Sequence, residues 1–329
     1  MALKSPGSLW PPAWQRCAEP PELAAWLPGF CAQERLSPTV GGALVALYWP
    51  LAVALAERAE ALGRPLVLGV NGAQGTGKST AAACLEGLLA LCGARACCLS
   101  IDDVYLTRAE RQQLARDVHP LFATRGVPGT HDLALAERVL AALRAARPGT
   151  LTPLPRFDKA QDDRLPPDQW PVFEGRPAVI LLEGWCLGAV PEPDGALAKP
   201  YNALERESDP EGLWRTSVNR ALADYQPWFS QLDCLVMLKA PSFEQVYEWR
   251  ELQEQKLRAR LSPEELAHSR VMSPAQVAHF ISHYERLTRW MLDEMPARAD
   301  VVIALDAEHR VTGLTVAPTT ALMPEETPR

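Results

Sequence analysis

What the chain lacks narrows its chemistry first. Its 8 cysteines form no CxxC pair and no regular spacing, which leaves buried, reduced thiols of a cytosolic protein as the simple expectation. The net charge is −7 and no long basic stripe occurs, which argues against nucleic acid as the main partner. No charged-then-apolar run with a small-residue cleavage site opens the sequence, so a secretory signal is not expected. The one membrane-like stretch, 40–56, is short for a span, rich in Ala and interrupted by Pro50. It reads as a buried helix or helix pair, with no membrane partner. What remains is 329 residues, 22% charged and 47% hydrophobic, which suits one large or two ordinary domains around a packed core.

The apolar run 66–70 leads straight into Gly72-Ala73-Gln74-Gly75-Thr76-Gly77-Lys78-Ser79-Thr80, and a helical pattern follows at once. This is the GxxxxGK[ST] phosphate loop in its required context of strand, loop and helix. Glycines let the backbone bend around an anion with several N–H groups pointing inward. The N-terminus of the next helix adds its partial positive charge. Lys78 is placed to reach the β- and γ-phosphates and Ser79 to ligate Mg²⁺. A Gly-rich turn with an incidental Lys is the bland alternative, and the flanking strand and helix disfavour it. Binding of a nucleoside triphosphate is therefore expected. No NKxD guanine signature is present.

Residues 1–63 read as a helical N-terminal addition, with Trp10, Trp14 and Trp26 packed on the main body. Residues 64–318 read as the main domain and 319–329 as a disordered tail. Apolar stretches at 96–101, 150–155, 178–182, 234–238 and 301–305 read as further strands alternating with helices. That pattern predicts an α/β fold with a mainly parallel sheet flanked by helices. Thr107 with Glu110, Ser242 with Gln245 and Ser273 with Gln276 read as capping boxes, and Ser262 opens one more helix. The helix after Ser273 is expected to run unbroken, with Val277, Phe280, Ile281, Tyr284, Leu287, Met291 and Leu292 on one face. Ligands in such sheets sit at the carboxyl ends of the strands. Four of these strands end in the phosphate loop, in Asp102-Asp103, in Arg156 to Lys159 and in Glu183, so those groups are expected to crowd one edge.

Phosphoryl transfer needs a metal, cations around the moving group and something to orient the acceptor hydroxyl. Asp102 suits the last role, or else caps its own turn. Glu183 suits Mg²⁺, with Ser79 and Asp102 as further candidate ligands, or else accepts N–H groups of its own turn. Arg250, Lys256, Arg258 and Arg260 suit a cationic helical lid over about 243–275, or else a solvated helix in which Arg250 pairs with Glu254. Arg125, His131, Arg156, Lys159 and Arg164 are candidates for holding a small anionic acceptor, and each could equally be solvated. His279 and His283 stand at i,i+4 but lack the Glu of HExxH, so a polar helix face is the preferred reading.

Taken in order, these segments resemble one family. GAQGTGKST at 72–80, SIDDVYLT at 100–107, RGVPGTHD at 125–132, LPRFDK at 154–159, LLEGW at 181–185 and WRELQEQKLR at 249–258 are similar to the D-glycerate 3-kinase family of P-loop kinases. Phosphoribulokinase, uridine kinase and pantothenate kinase are relatives of that family. The resemblance implies a P-loop NTPase fold with a helical lid, ATP and Mg²⁺ as cofactors, and transfer of the γ-phosphoryl group to a hydroxyl of a small anionic metabolite. It also implies roles: Lys78 and Ser79 at phosphate and metal, Asp102 activating the acceptor, Glu183 near the metal and Arg250 as a catalytic lid residue. Val104 stands where an aromatic is common, and the stretch after Lys159 is shorter than the family pattern. Another acceptor (a nucleoside, pantothenate or a sugar phosphate) and a nucleotide-binding regulator stay open as alternatives.

Overall fold

The computed structural model describes residues 6–259, 272–320 and 322. Its centre is a six-stranded sheet. The strands are β1 (Leu66–Gly72), β2 (Ala96–Ser100), β7 (Val179–Gly184), β8 (Cys234–Lys239), β9 (Val301–Leu305) and β10 (Val311–Val316), in spatial order β10-β9-β8-β1-β7-β2. All pairings are parallel except β9 with β10, an antiparallel edge hairpin. Every residue of β1 and β7 is buried, as central strands covered on both faces require.

Helix α1 (Glu22–Glu34) and helix α2 (Pro38–Leu62) precede the sheet, and α3 (Lys78–Leu91) follows β1. The membrane-like stretch lies in α2 as one continuous helix. Ser37 caps its start and Gly63, at φ +61°, ends it. It is long and apolar enough to cross a membrane by length and composition, with a mean hydropathy of 1.8. Here it packs on α3 and β1, and Leu51, Ala52 and Leu55 are fully buried in the common core. Trp10 and Trp14 are buried in that same core and stack on each other at 4.8 Å.

Three local expectations differ from what forms. The stretch expected as a third parallel strand is β3 (Leu151–Pro153), paired antiparallel with β6 (Val172–Glu174) outside the main sheet, and between them β4 (Phe157–Asp158) pairs antiparallel with β5 (Asp163–Arg164). Only Thr152 of β3 is buried, and Pro153 has no N–H to give a ladder. The last helix is two, Pro274–Ser282 and Glu285–Glu294. Between them Ser282 Oγ donates to the His279 carbonyl at 2.7 Å, and the backbone N–H groups of His283 and Tyr284 turn to i−3 partners. That tighter turn drops the Tyr284 ring toward the carboxyl edge of the sheet. The box at Ser242 is half of one: its hydroxyl caps Gln245, with no return bond from the glutamine. Residues 260–271, which hold Arg260 and the helix expected at Ser262, lie outside the described residues, as does most of the expected tail. Of that tail, Thr320 and Leu322 are buried.

Candidate active site

The phosphate loop leaves β1 at Gly72 and enters α3 at Lys78. Gly75 and Gly77 hold φ values of +84° and +87°, which side chains other than glycine adopt at a cost. A Cβ on Gly75 would also lie 2.6 Å from the Cβ of Trp249. Trp249 is buried, and its indole N–H donates to the Ala307 carbonyl at 2.8 Å. His309, in the β9–β10 turn, stacks on it at 4.2 Å and touches the Gly75 carbonyl through Nε2 at 2.7 Å. The loop is thus wedged between the helix Phe243–Arg258 and the edge hairpin. Replacing Gly75 by Ala should weaken ATP binding by about tenfold or more, since a left-handed alanine alone costs roughly 1–2 kcal/mol. Titration calorimetry with ATP, beside a thermal melt, separates lost affinity from lost fold.

Ser79 Oγ lies 3.3 Å from Glu183 Oε1. Glu183 is buried and pairs in register with Val70 on one side and Ser100 on the other, so three adjacent strand ends fix it. Two hard oxygen donors facing one another beside a phosphate loop fit Mg²⁺. Asp102 lines the same recess as Ser79 and Glu183. It sits in the 3₁₀ turn Ile101–Val104, where its Oδ2 pairs with Lys159 Nζ at 2.7 Å and its Oδ1 accepts from Tyr105 Oη at 2.6 Å. Burial alone would raise its pKa, but the Lys159 charge and these two hydrogen bonds outweigh it and hold the carboxyl at about 2. Asp103, its neighbour, faces the other way and receives Arg156 and the Phe157 N–H, pinning that backbone.

Gln74 to Thr80 apart from Thr76, together with Asp102, Tyr105, Arg125, Lys159, Trp185, Arg250, Gln253, Phe280 and Tyr284, line one cleft of about 390 Å³. The five expected anion-holding residues divide. Arg125 and Lys159 reach this cleft. Arg156 lines a neighbouring recess and is tied to Asp103 at 3.0 Å. Arg164 is spent on Asp132, the N-cap of helix Leu133–Ala145, at 3.1 Å. His131 is corrected outright as a cation: it is buried, its Nδ1 meets Tyr225 Oη at 2.6 Å, and burial pushes its pKa to about 3, so it is a neutral ring packed on Tyr105. Arg250 lines the cleft and also pairs with Glu254. Arg258 donates to the Met272 carbonyl at 3.0 Å. His283 bonds its own helix through Nδ1, and burial lowers its pKa to about 4, consistent with a structural histidine.

Sequence reasoning missed Tyr105, Trp185, Tyr284, Trp249 and His309. Trp185 donates to the Gly126 carbonyl at 2.8 Å and Tyr284 to the Arg125 carbonyl at 2.8 Å, so these aromatics hold the 125–131 loop against the cleft. Asn71, buried at the end of β1, fixes the backbone after β7 by donating to the Trp185 and Leu187 carbonyls. Tyr105 and Trp185 stand inside motifs already read as significant; nothing in the sequence pairs Trp249 with His309.

No family model matches the chain. An uncharacterized kinase of Schizosaccharomyces pombe, mug58, is 36% identical over 231 residues, covering 68% of this chain and 79% of the relative. The chloroplastic D-glycerate 3-kinase of Arabidopsis thaliana is 33% identical over 260 residues, covering 74% of this chain; the chain spans only 53% of that enzyme's length. The solved D-glycerate 3-kinase of Cryptococcus neoformans superposes with a TM-score of 0.67 at 26% identity, over 81% of this chain and 98% of that one.

Proposed function

The chain belongs to the D-glycerate 3-kinase family of P-loop kinases, and from that premise we propose that it moves the γ-phosphoryl group of ATP to a hydroxyl of D-glycerate, giving 3-phosphoglycerate. The observation that carries this reading is an ionised Asp102 in one cleft with the phosphate loop and a wall of cations. The loop's N–H groups and Lys78 hold the triphosphate. Ser79 and Glu183 would hold Mg²⁺, which would supply charge neutralisation to the phosphates. Asp102 accepts a hydrogen bond from the acceptor hydroxyl and fixes its direction. With a pKa of about 2 it is a weak base, which suits a loose transition state in which the proton leaves late. Lys159 keeps Asp102 ionised, and Arg250 faces the same space from the lid segment. We place the enzyme in the cytosol, with its cysteines reduced.

The test is ADP release from Mg·ATP with D-glycerate, then with other hydroxy acids, nucleosides and pantothenate. Turnover of about 1–100 s⁻¹ with D-glycerate is the expected result. Turnover only with another compound reassigns the acceptor, and none with any compound rejects the reading.

A pH profile tests Lys159. Its charge is the first-named influence lowering the Asp102 pKa against burial, which raises it. Lys159→Met should therefore shift the acid limb of kcat/KM for the acceptor upward from below pH 4 toward neutrality. An acid limb that stays in place contradicts the role given to Lys159.

A further inference from the structure

We propose that Arg125 is the residue that receives the acceptor's carboxylate, and that Asp162, which lines no part of the cleft, sets its position. The inference rests on the glycerate reading and deepens it. The cleft's other cations are committed: Lys78 belongs to the phosphate loop, Lys159 is paired with Asp102 and Arg250 with Glu254. Arg125 is different because it shares its partner. One carboxylate oxygen of Asp162 takes both Arg125 Nη1 and Arg111 Nη1, the other takes Arg111 Nη2 at 3.0 Å, and the Asp162 carbonyl accepts from Arg111 Nη2 at 2.7 Å. The two guanidinium groups lie over the Phe157 ring, with Cζ 5.4 Å from its centre for Arg125 and 5.7 Å for Arg111. Asp163 accepts the backbone N–H groups of Arg108 and Arg164, and its charge acts on Arg111 without a direct contact. Within hydrogen-bond distance, two guanidinium groups thus share the one carboxylate of Asp162.

Arg111 is fully buried and Asp162 holds both of its Nη atoms, so it is fixed in the wall. Arg125 is about a quarter exposed and faces the cleft, so of the two guanidinium groups it is the one offered there. A carboxylate is the planar anion that a guanidinium binds through two parallel hydrogen bonds. Asp162 holds this arrangement from a left-handed backbone, φ +58°, a conformation that Asn adopts as readily as Asp. Asp162→Asn therefore removes the charge without disturbing the turn.

Steady-state kinetics of purified full-length Asp162→Asn should show KM for D-glycerate raised about tenfold, because a misplaced guanidinium loses a charge-assisted contact worth about that factor. The kcat should stay within about threefold and KM for ATP should not move, since neither the phosphate loop nor Asp102 is touched. Arg125→Met should abolish the wild-type preference for D-glycerate over glycerol, its counterpart without a carboxylate. Unchanged or lower KM in Asp162→Asn overturns the inference, a lower value meaning that Asp162 merely competes with the acceptor. A parallel loss of kcat and ATP affinity also overturns it, as the mark of a purely structural residue. Wild-type enzyme that turns over no hydroxy acid overturns the glycerate reading itself, which these variant results do not.

Discussion

Asp102→Asn is expected to lower kcat by about two to four orders of magnitude, the range for losing a group that handles the reacting proton. KM for ATP should change little, because among the described residues the Asp102 carboxylate bonds to Lys159 and Tyr105, and Lys78 of the phosphate loop acts on it through charge alone. The substitution is nearly isosteric and keeps an oxygen for the Tyr105 hydroxyl. What it removes is the charge that directs the acceptor and the partner of Lys159. That ion pair is a small part of the stability, since the Lys159 side chain is 63% exposed. The melting temperature should therefore stay within a few degrees of wild type. The pH dependence of stability has a definite sign. The Asp102 pKa lies below its ordinary 3.8 in the folded protein, so its contribution is complete above that value and is lost as pH falls through about 2. A variant that keeps kcat within tenfold would show that Asp102 only shapes its turn.

Lys78→Ala should be as severe, lowering kcat/KM for ATP by about a thousandfold, near the upper end for deleting one preorganised donor to developing charge. Lys78 is the first residue of α3 and, among the described residues, makes no ion pair or side-chain hydrogen bond. Its removal breaks no hydrogen bond or ion pair among the described residues and takes away only a charge that acts on Asp102, and alanine is a strong helix former. Thermal stability without ligand should be unchanged or slightly higher. The stabilisation that ATP gives in a melt should shrink, since that shift tracks affinity. Near-normal turnover would mean that the loop's N–H groups alone carry the phosphates.

The parts of this site that were legible in the sequence are those in which chemistry constrains neighbouring residues. The phosphate loop needs glycines, a lysine and a hydroxyl at fixed spacing between a strand and a helix, and that is what stands at 72–80. Asp102 and Glu183 were legible because apolar runs end at them and open parallel sheets gather ligands at strand ends. The 156–159 segment reached the edge for a different reason from the one expected. Its strand lies outside the main sheet, and Asp103 draws it in by binding Arg156 and the Phe157 N–H. The fate of each arginine was not legible, because a guanidinium on a surface and one in a wall have the same local sequence. His131 illustrates the same limit: burial keeps it neutral, and the Tyr225 hydroxyl that meets its Nδ1 stands 94 positions away. The contact of Trp249 with His309 and Gly75 joins three distant segments, and its only local trace is a glycine that tolerates no Cβ.

The most direct test of the central claim is to follow a radiolabelled γ-phosphate from Mg·ATP in the presence of D-glycerate and identify the labelled product. The account predicts label in 3-phosphoglycerate, formed by the wild-type enzyme and lost with Asp102→Asn. Label released only as inorganic phosphate, at a rate indifferent to D-glycerate, would contradict it.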